Sequence, residues 1–283
     1  MEKGYQKVIQ WFPGHMKSAL EMIRNELKQC DIIIYVLDAR CPISSLNPKF
    51  DEFTARKPVL FVMNKIDLAK PNARAEVAKV VGSENIIAMD STQSGTSSKI
   101  INAVNRVLAD KISASAEKGI KRTIKAVVIG VTNCGKSTLI NNMAGKGKTL
   151  TGDRPGVTRT KQWVNVHDNF WIMDTPGTLW PSFENPQTAK NLAYVGSIKD
   201  DILDIMELAK NLIKDLMRLD PTCLQKRFGV STFEGIAKKR GYILKGGILD
   251  EERTAKALLV EFRAGKLGKF NLDELLNVST ENG

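Results

Sequence analysis

Apolar positions along the chain fall into two textures. In the first part, short β-branched runs at 32–37, 59–63, 85–89 and 124–129 each stop at polar or glycine-rich residues. Such runs are what strands buried on both faces of a parallel sheet require. Between them the spacing turns helical: Met16, Leu20, Ile23 and Leu27 make one stripe, and Ile100, Val104, Val107 and Leu108 another. Strand alternating with helix predicts an α/β fold with a mainly parallel sheet. Residues 161–166 and 170–174 flank His167, Asp168 and Asn169, which predicts an antiparallel hairpin. The polar stretch 111–123 is expected to be an exposed connector. From about Pro186 the β-rich runs cease, and Ile198, Ile202, Ile205, Ala209, Leu212 and Leu216 form a long helical stripe. A short helix over 231–240 and another from Asp250 to near Gly265 follow. The expected organisation is an α/β domain over 1–185 and a smaller all-helical domain over 186–283.

Composition narrows the class. Of 283 residues, 42% are hydrophobic and 6% aromatic, enough apolar content to exclude a disordered chain. Forty-two Lys and Arg against 31 Asp and Glu leave a formal charge of +11, a field that draws polyanions such as RNA. Cys30, Cys41, Cys134 and Cys223 form no C-x-x-C pair, and with only His15 and His167 they complete no familiar zinc site. No run reaches the ~18 to 20 apolar residues of a membrane span. The first residues lack a signal peptide's apolar core. A reduced cytoplasmic protein, expected to be a monomer, is the reading.

The chemistry concentrates in a few segments. Gly130-Val131-Thr132-Asn133-Cys134-Gly135-Lys136-Ser137 fits the phosphate-loop pattern G-x-x-x-x-G-K-[ST], directly after an apolar run and before a helix opening at Thr138. In such a loop the backbone of Gly130, Asn133, Cys134 and Gly135 approaches phosphate oxygens, Lys136 reaches the β- and γ-phosphates, and the Ser137 hydroxyl ligates Mg²⁺. Asn64-Lys65-Ile66-Asp67 follows the run 59–63 and resembles the guanine-reading N-K-x-D of GTPases. Guanine offers two donors on one edge that a single carboxylate such as Asp67 accepts, whereas adenine places an acceptor there. Asp174-Thr175-Pro176-Gly177 resembles the D-x-x-G segment that serves Mg²⁺ and the γ-phosphate. Thr158 stands where a switch threonine would ligate Mg²⁺, and Ser91 resembles the first residue of the S-A-K segment supporting the base.

Order is the distinguishing feature. GTPases ordinarily place the phosphate loop first and N-K-x-D near the end. Here N-K-x-D and Ser91 precede the phosphate loop, Thr158 and D-x-x-G, which is a circular permutation. Together with Trp11-Phe12-Pro13-Gly14-His15-Met16 and Asp38-Ala39-Arg40, this order resembles the ribosome biogenesis GTPase A family over nearly the whole chain. Reading back from Asn64 gives strand 59–63, helix near 49–57, strand 32–37 and helix 16–28, so the permutation cuts the second switch. One half then runs from Gly177 into the helical domain, and the other carries His15.

The resemblance implies a circularly permuted P-loop GTPase that binds GTP and GDP, uses Mg²⁺, and assists assembly of the large (50S) ribosomal subunit through its rRNA. It also implies that His15 activates the attacking water, in place of the glutamine that small GTPases carry where Thr178 stands here. A structural role in a Pro-Gly turn, or a ribosome contact, is the other reading of His15. Asn133 resembles the asparagine of potassium-stimulated GTPases, and hydrogen bonding within the loop is its alternative. Lys238, Lys239, Arg240, Lys245, Lys256, Arg263, Lys266 and Lys269 are candidate RNA contacts, with a second basic region at Lys146, Lys148, Arg154, Arg159 and Lys161. A GTP-dependent RNA-binding scaffold and a P-loop kinase of a small metabolite are the competing functions; Asp67 weighs against the kinase.

Overall fold

A computed structural model of the protein describes residues 14–145 and 163–276. Helix α1 (Gly14–Glu26) leads into β1 (Ile32–Asp38), a 3-10 turn at Pro48–Phe50 and α2 (Asp51–Thr54). Then come β2 (Val59–Asn64), α3 (Ala73–Val81), β3 (Ile86–Ala88), α4 (Thr96–Val107), α5 (Ala109–Ala116), β4 (Ile124–Ile129) and α6 (Lys136–Ala144). The hairpin β5 (Trp163–His167) and β6 (Phe170–Asp174) closes the sheet, whose order is β3-β2-β1-β4-β6-β5. Every neighbouring pair is parallel except β5 and β6. All seven residues of β1 are buried, as a central strand covered on both faces must be.

From Pro186 onward the described elements are helical: α7 (Pro186–Tyr194), α8 (Ile205–Leu219), α9 (Cys223–Phe228), α10 (Phe233–Lys239) and α11 (Glu251–Arg263), with 3-10 turns at Asp200–Ile202 and Leu272–Leu275. Asn185, Asp204, Thr232 and Asp250 cap α7, α8, α10 and α11 with side-chain acceptors, satisfying amides that a helix start leaves unpaired. Among the described residues no helix is long and apolar enough to cross a membrane.

Two differences from the sequence reading have physical causes. The stretch 111–123 is exposed, yet its first part is helical through Ala116, because alanine, lysine and serine permit helix and Ile112 gives it one packing contact. Helix α3 was not expected, because only Ala73 and Val77 of its nine residues are buried, too thin a stripe to register as periodicity.

One hydrophobic cluster runs from one sheet face, through Val62, Val128 and Ile172, into Leu192, Leu208, Leu212 and Leu258 of the helices. A polar clamp joins the same two regions. Asp273 accepts from Ile43 N at 2.6 Å, Ser44 N at 3.2 Å and Ser44 Oγ at 2.6 Å, and from Asn191 Nδ2 at 3.4 Å. Burial pushes the Asp273 carboxyl up to about 6, against hydrogen bonds that favour its charged form. Asn191 Nδ2 keeps Ser44 Oγ and Leu272 O as acceptors, but Asp273→Ala strands the Ile43 and Ser44 donors, at a cost of about 1–3 kcal/mol each where no water replaces the acceptor, so its thermal midpoint is expected to fall well below that of the parent. Because the folded-state pKa lies above the ordinary 3.8, folding favours the protonated form. That contribution is complete below about pH 4 and is lost as pH rises through about 6, so the midpoint gap between parent and Asp273→Ala is expected to narrow across this window in melts monitored by circular dichroism.

Candidate nucleotide site

Parallel strands present their carboxyl ends on one edge, where open α/β sheets hold their ligands. At that edge the structure gathers Asp38 ending β1, Asn64 ending β2, Ser91 beyond β3, the loop 130–135 beyond β4, and Asp174 ending β6. Gly130, Asn133 and Gly135 have φ of 152°, 57° and 100°. A Cβ on Gly130 would collide with the Val36 carbonyl, one on Gly135 with the Asn64 amide, and one on Gly177 with the Thr132 backbone. Close approach therefore fixes all three glycines, and left-handed backbone adds to it at Gly130 and Gly135.

Lys136 is buried at the start of α6, and its ammonium donates to Gly130 O at 3.1 Å and Val131 O at 2.8 Å. Ser137 and Thr138 are exposed in the same first turn of the helix, an end whose backbone dipoles favour an anion. Ser137 Oγ donates to Asp174 Oδ2 at 2.7 Å, while the buried Asp174 Oδ1 has no hydrogen-bond partner among the described residues. Burial raises the Asp174 pKa, and Ser137 and Lys136 offset part of that rise. A hydroxyl beside a buried carboxylate with an uncommitted oxygen is a hard-oxygen pair of the kind Mg²⁺ takes.

The N-K-x-D segment is built into this loop from below. Asn64 Nδ2 donates to Cys134 O at 2.9 Å, while its Oδ1 accepts from Ser91 N at 2.9 Å and from Ser91 Oγ. Lys65, in a left-handed conformation at φ 60°, donates to Asn133 O at 2.6 Å and to Asp38 Oδ2 at 2.9 Å. Asp67 is exposed in the 3-10 turn Ile66–Leu68. Cys134 is fully buried, and burial pushes its thiol up, as a space-filling residue would show. Asn142 Nδ2 adds a bond to Ser91 O at 2.9 Å, tying α6 to the same loop.

Several participants were not assigned roles from sequence. Asp38 is fully buried and takes Arg40 Nε at 2.8 Å and Arg40 Nη2 at 2.7 Å besides Lys65. Burial would raise its pKa, but Arg40 and Lys65 outweigh it and hold the carboxyl well below the usual range. In the sequence it stands as a carboxylate ending an apolar strand and as the first residue of Asp38-Ala39-Arg40, neither of which assigns it a partner. The turn after α7 was silent in sequence. There Thr132 Oγ1 donates to Ser197 O, Ser197 Oγ donates to Thr132 O at 2.8 Å, and Asn133 Nδ2 donates to Gly196 O at 2.6 Å. Arg263 holds that turn through Tyr194 O at 3.0 Å and Ala193 O at 2.9 Å, with a two-pronged contact to Asp200 at 2.7 Å.

Thr178 is fully buried, and Asn47 Nδ2 donates to its carbonyl at 3.3 Å. His15 lies in the first turn of α1, and its side chain, like Thr158 and the basic region 146–161, lies outside what the structure describes. Of the candidate RNA contacts, Arg240 and Lys256 pair with Glu261 and Glu252, and Arg263 is committed to Asp200. Lys238, Lys239, Lys245, Lys266 and Lys269 are exposed.

Residues 125–226 match the family model described as 50S ribosome-binding GTPase. The chain is 39% identical over 277 residues to the ribosome biogenesis GTPase A of Bacillus cereus, covering 94% of each chain. It is 37% identical to that of Priestia megaterium, over 94% of this chain and 96% of the relative. In fold it is similar to the GNP-bound crystal structure of YlqF from T. maritima, at a TM-score of 0.63 and 24% identity over 89% of this chain and 95% of that one. With its motifs in permuted order at one sheet edge, and with relatives matched from end to end, the chain belongs to the ribosome biogenesis GTPase A family.

Proposed function

We propose that this protein is a Mg²⁺-dependent GTP hydrolase that assists late assembly of the large ribosomal subunit, binding it in the GTP form and leaving after rRNA-stimulated hydrolysis. The observation that carries the reading is the physical joining of the guanine and phosphate segments: Asn64 and Lys65 hold the carbonyls of Cys134 and Asn133. A base read at Asp67 and a triphosphate cradled by 130–137 then belong to one rigid site. Residues 1–185 are the nucleotide unit and 186–283 the helical, RNA-contacting unit. The exposed lysines 238, 239, 245, 266 and 269 supply the latter with charge for rRNA phosphates.

Each nucleotide-facing group has a role that its chemistry allows. Lys136 compensates charge on the β- and γ-phosphates, the amides of 133–138 bind their oxygens, and Gly177 N–H meets the γ-phosphate. Ser137 and Thr158 would hold Mg²⁺ directly and Asp174 through water, the metal supplying charge neutralisation on the phosphates. Because Asn133 Nδ2 is committed to Gly196, its Oδ1 is the atom left for potassium. His15 orients the attacking water, a reading supported by the burial of Thr178 away from solvent.

Asp67→Asn is expected to weaken GTP binding and relax discrimination against xanthine nucleotides, since an amide sets a donor against guanine's own. Calorimetry with GTP and XTP checks this, and undiminished GTP affinity would take Asp67 out of the base site. His15→Ala is expected to lower subunit-stimulated turnover by about 10² to 10⁴ with GTP affinity nearly intact, because a water-orienting group acts mainly in the transition state. A stimulated rate equal to the parent's would leave His15 structural. Arg263→Ala, which lies in no nucleotide motif, is expected to loosen the 193–197 turn and weaken GTP binding through Thr132 and Asn133, with large-subunit binding becoming less sensitive to nucleotide. Cosedimentation with large subunits in GDP and in a nonhydrolysable GTP analogue measures the second effect, and a parent-like ratio would show the turn to be passive.

A further inference from the structure

The sheet leaves β3 at an edge, paired with β2 alone. Asn85 O accepts from Phe61 N at 2.8 Å and Met89 N donates to Met63 O at 2.9 Å, so residues 85 and 89 face β2. Strand alternation then turns the backbone groups of Ile86 and Ala88 outward. One of these is already used, since Arg74 Nη2 donates to Ile86 O at 3.3 Å. Ile86 is itself buried, which leaves the two backbone groups of Ala88 at an open cleft of about 490 Å³ between α3 and α4. Its apolar floor includes Ile87 and Ala88, and its rim carries Arg74 from α3 and Lys99 and Arg106 from α4.

Among the described residues none of these three cations has a carboxylate within salt-bridge distance. The cleft therefore combines outward strand groups, an apolar floor and uncompensated positive charge on both sides. We propose that it docks an extended acidic segment of a partner protein as an added strand beside β3. Side chains of an added strand alternate between the two sheet faces, so acidic residues in successive positions would reach Arg74 on one side and Lys99 or Arg106 on the other. Among the described residues no aromatic side chain lines the cleft, which disfavours single-stranded RNA, whose bases need rings to stack on. The inference is independent of the nucleotide reading and uses none of its residues.

The probe is a fluorescein-labelled octapeptide of repeating Glu-Glu-Val-Val, whose adjacent glutamates fall on opposite faces when extended, titrated against the full chain and followed by anisotropy. Lys99→Glu/Arg106→Glu is expected to weaken binding by about tenfold or more, with GTP affinity unchanged as the check on folding. N-methylation of alternate peptide amides, which keeps the charge but blocks strand pairing, is expected to weaken it comparably. Hydrogen exchange at the Ala88 amide is expected to slow when the octapeptide is bound. Absence of binding at millimolar octapeptide, or equal affinity for the N-methylated form, would overturn the proposal. So would tighter binding of an oligouridylate octamer that depends on Lys99 and Arg106, which would make the cleft an RNA contact.

Discussion

The phosphate loop has to hold left-handed backbone at Asn133 and Gly135 while carrying a buried ammonium, and its own sequence cannot enforce either. A left-handed asparagine costs roughly 1 kcal/mol or more when nothing compensates it. The compensation comes from outside the loop and from two directions. Asn64 and Lys65 grip the carbonyls of Cys134 and Asn133, while Gly196 and Ser197 take the side chains of Asn133 and Thr132. Lys65 is in turn fixed by Asp38, which is itself neutralised by Arg40. Arg40 lies over the Phe262 ring at 5.8 Å and reaches Arg263 O at 3.4 Å, so the chain of contacts closes through the helical half.

That closure alters what the permutation means. The second switch, cut by the permutation, feeds residues 178–185 into α7 and gives one covalent route from the D-x-x-G segment to the helices. The turn after α7 gives a second, noncovalent route, directly from the phosphate loop. A displacement of α7 would act on Thr178 through the chain and on Asn133 through Gly196 together. The shared hydrophobic cluster makes such a displacement collective, because packed interiors move as units more readily than they deform.

Legibility in the sequence followed the range over which each feature is determined. The strands at 32–38 and 124–129 and the loop at 130–137 are local patterns, and the structure places them within a residue or so of the expected limits. Asp67, Lys136 and Ser137 could be named as candidates because a guanine and a phosphate site demand particular groups at fixed spacing. Asp38 could only be quoted as part of a recurring tripeptide, because its partner Lys65 is 27 residues away and becomes adjacent only when β1 pairs with β2. Ser197 and Arg263 were beyond reach for the same reason: their bonds to Thr132 and Tyr194 span 65 and 69 residues, and no local rule selects them. Helix α5 was missed for a different cause, weak burial, which leaves propensity without a pattern.

The placement of cations separates two tasks that a charge of +11 alone would merge. Beside Lys65, arginine does most of the internal fastening: Arg40 on Asp38, Arg227 and Arg240 on Glu261, Arg263 on Asp200. A planar guanidinium suits that task because it fixes direction as well as charge. The lysines at 238, 239, 245, 266 and 269 remain at the surface on flexible stems, and they act on a polyanion through a field that salt screens. On the function proposed above, attraction to RNA and transmission of the nucleotide state depend on different side chains. Because the arginine contacts are short and partly buried, ionic strength will weaken the attraction well before it disturbs the geometry that links the helices to the phosphate loop.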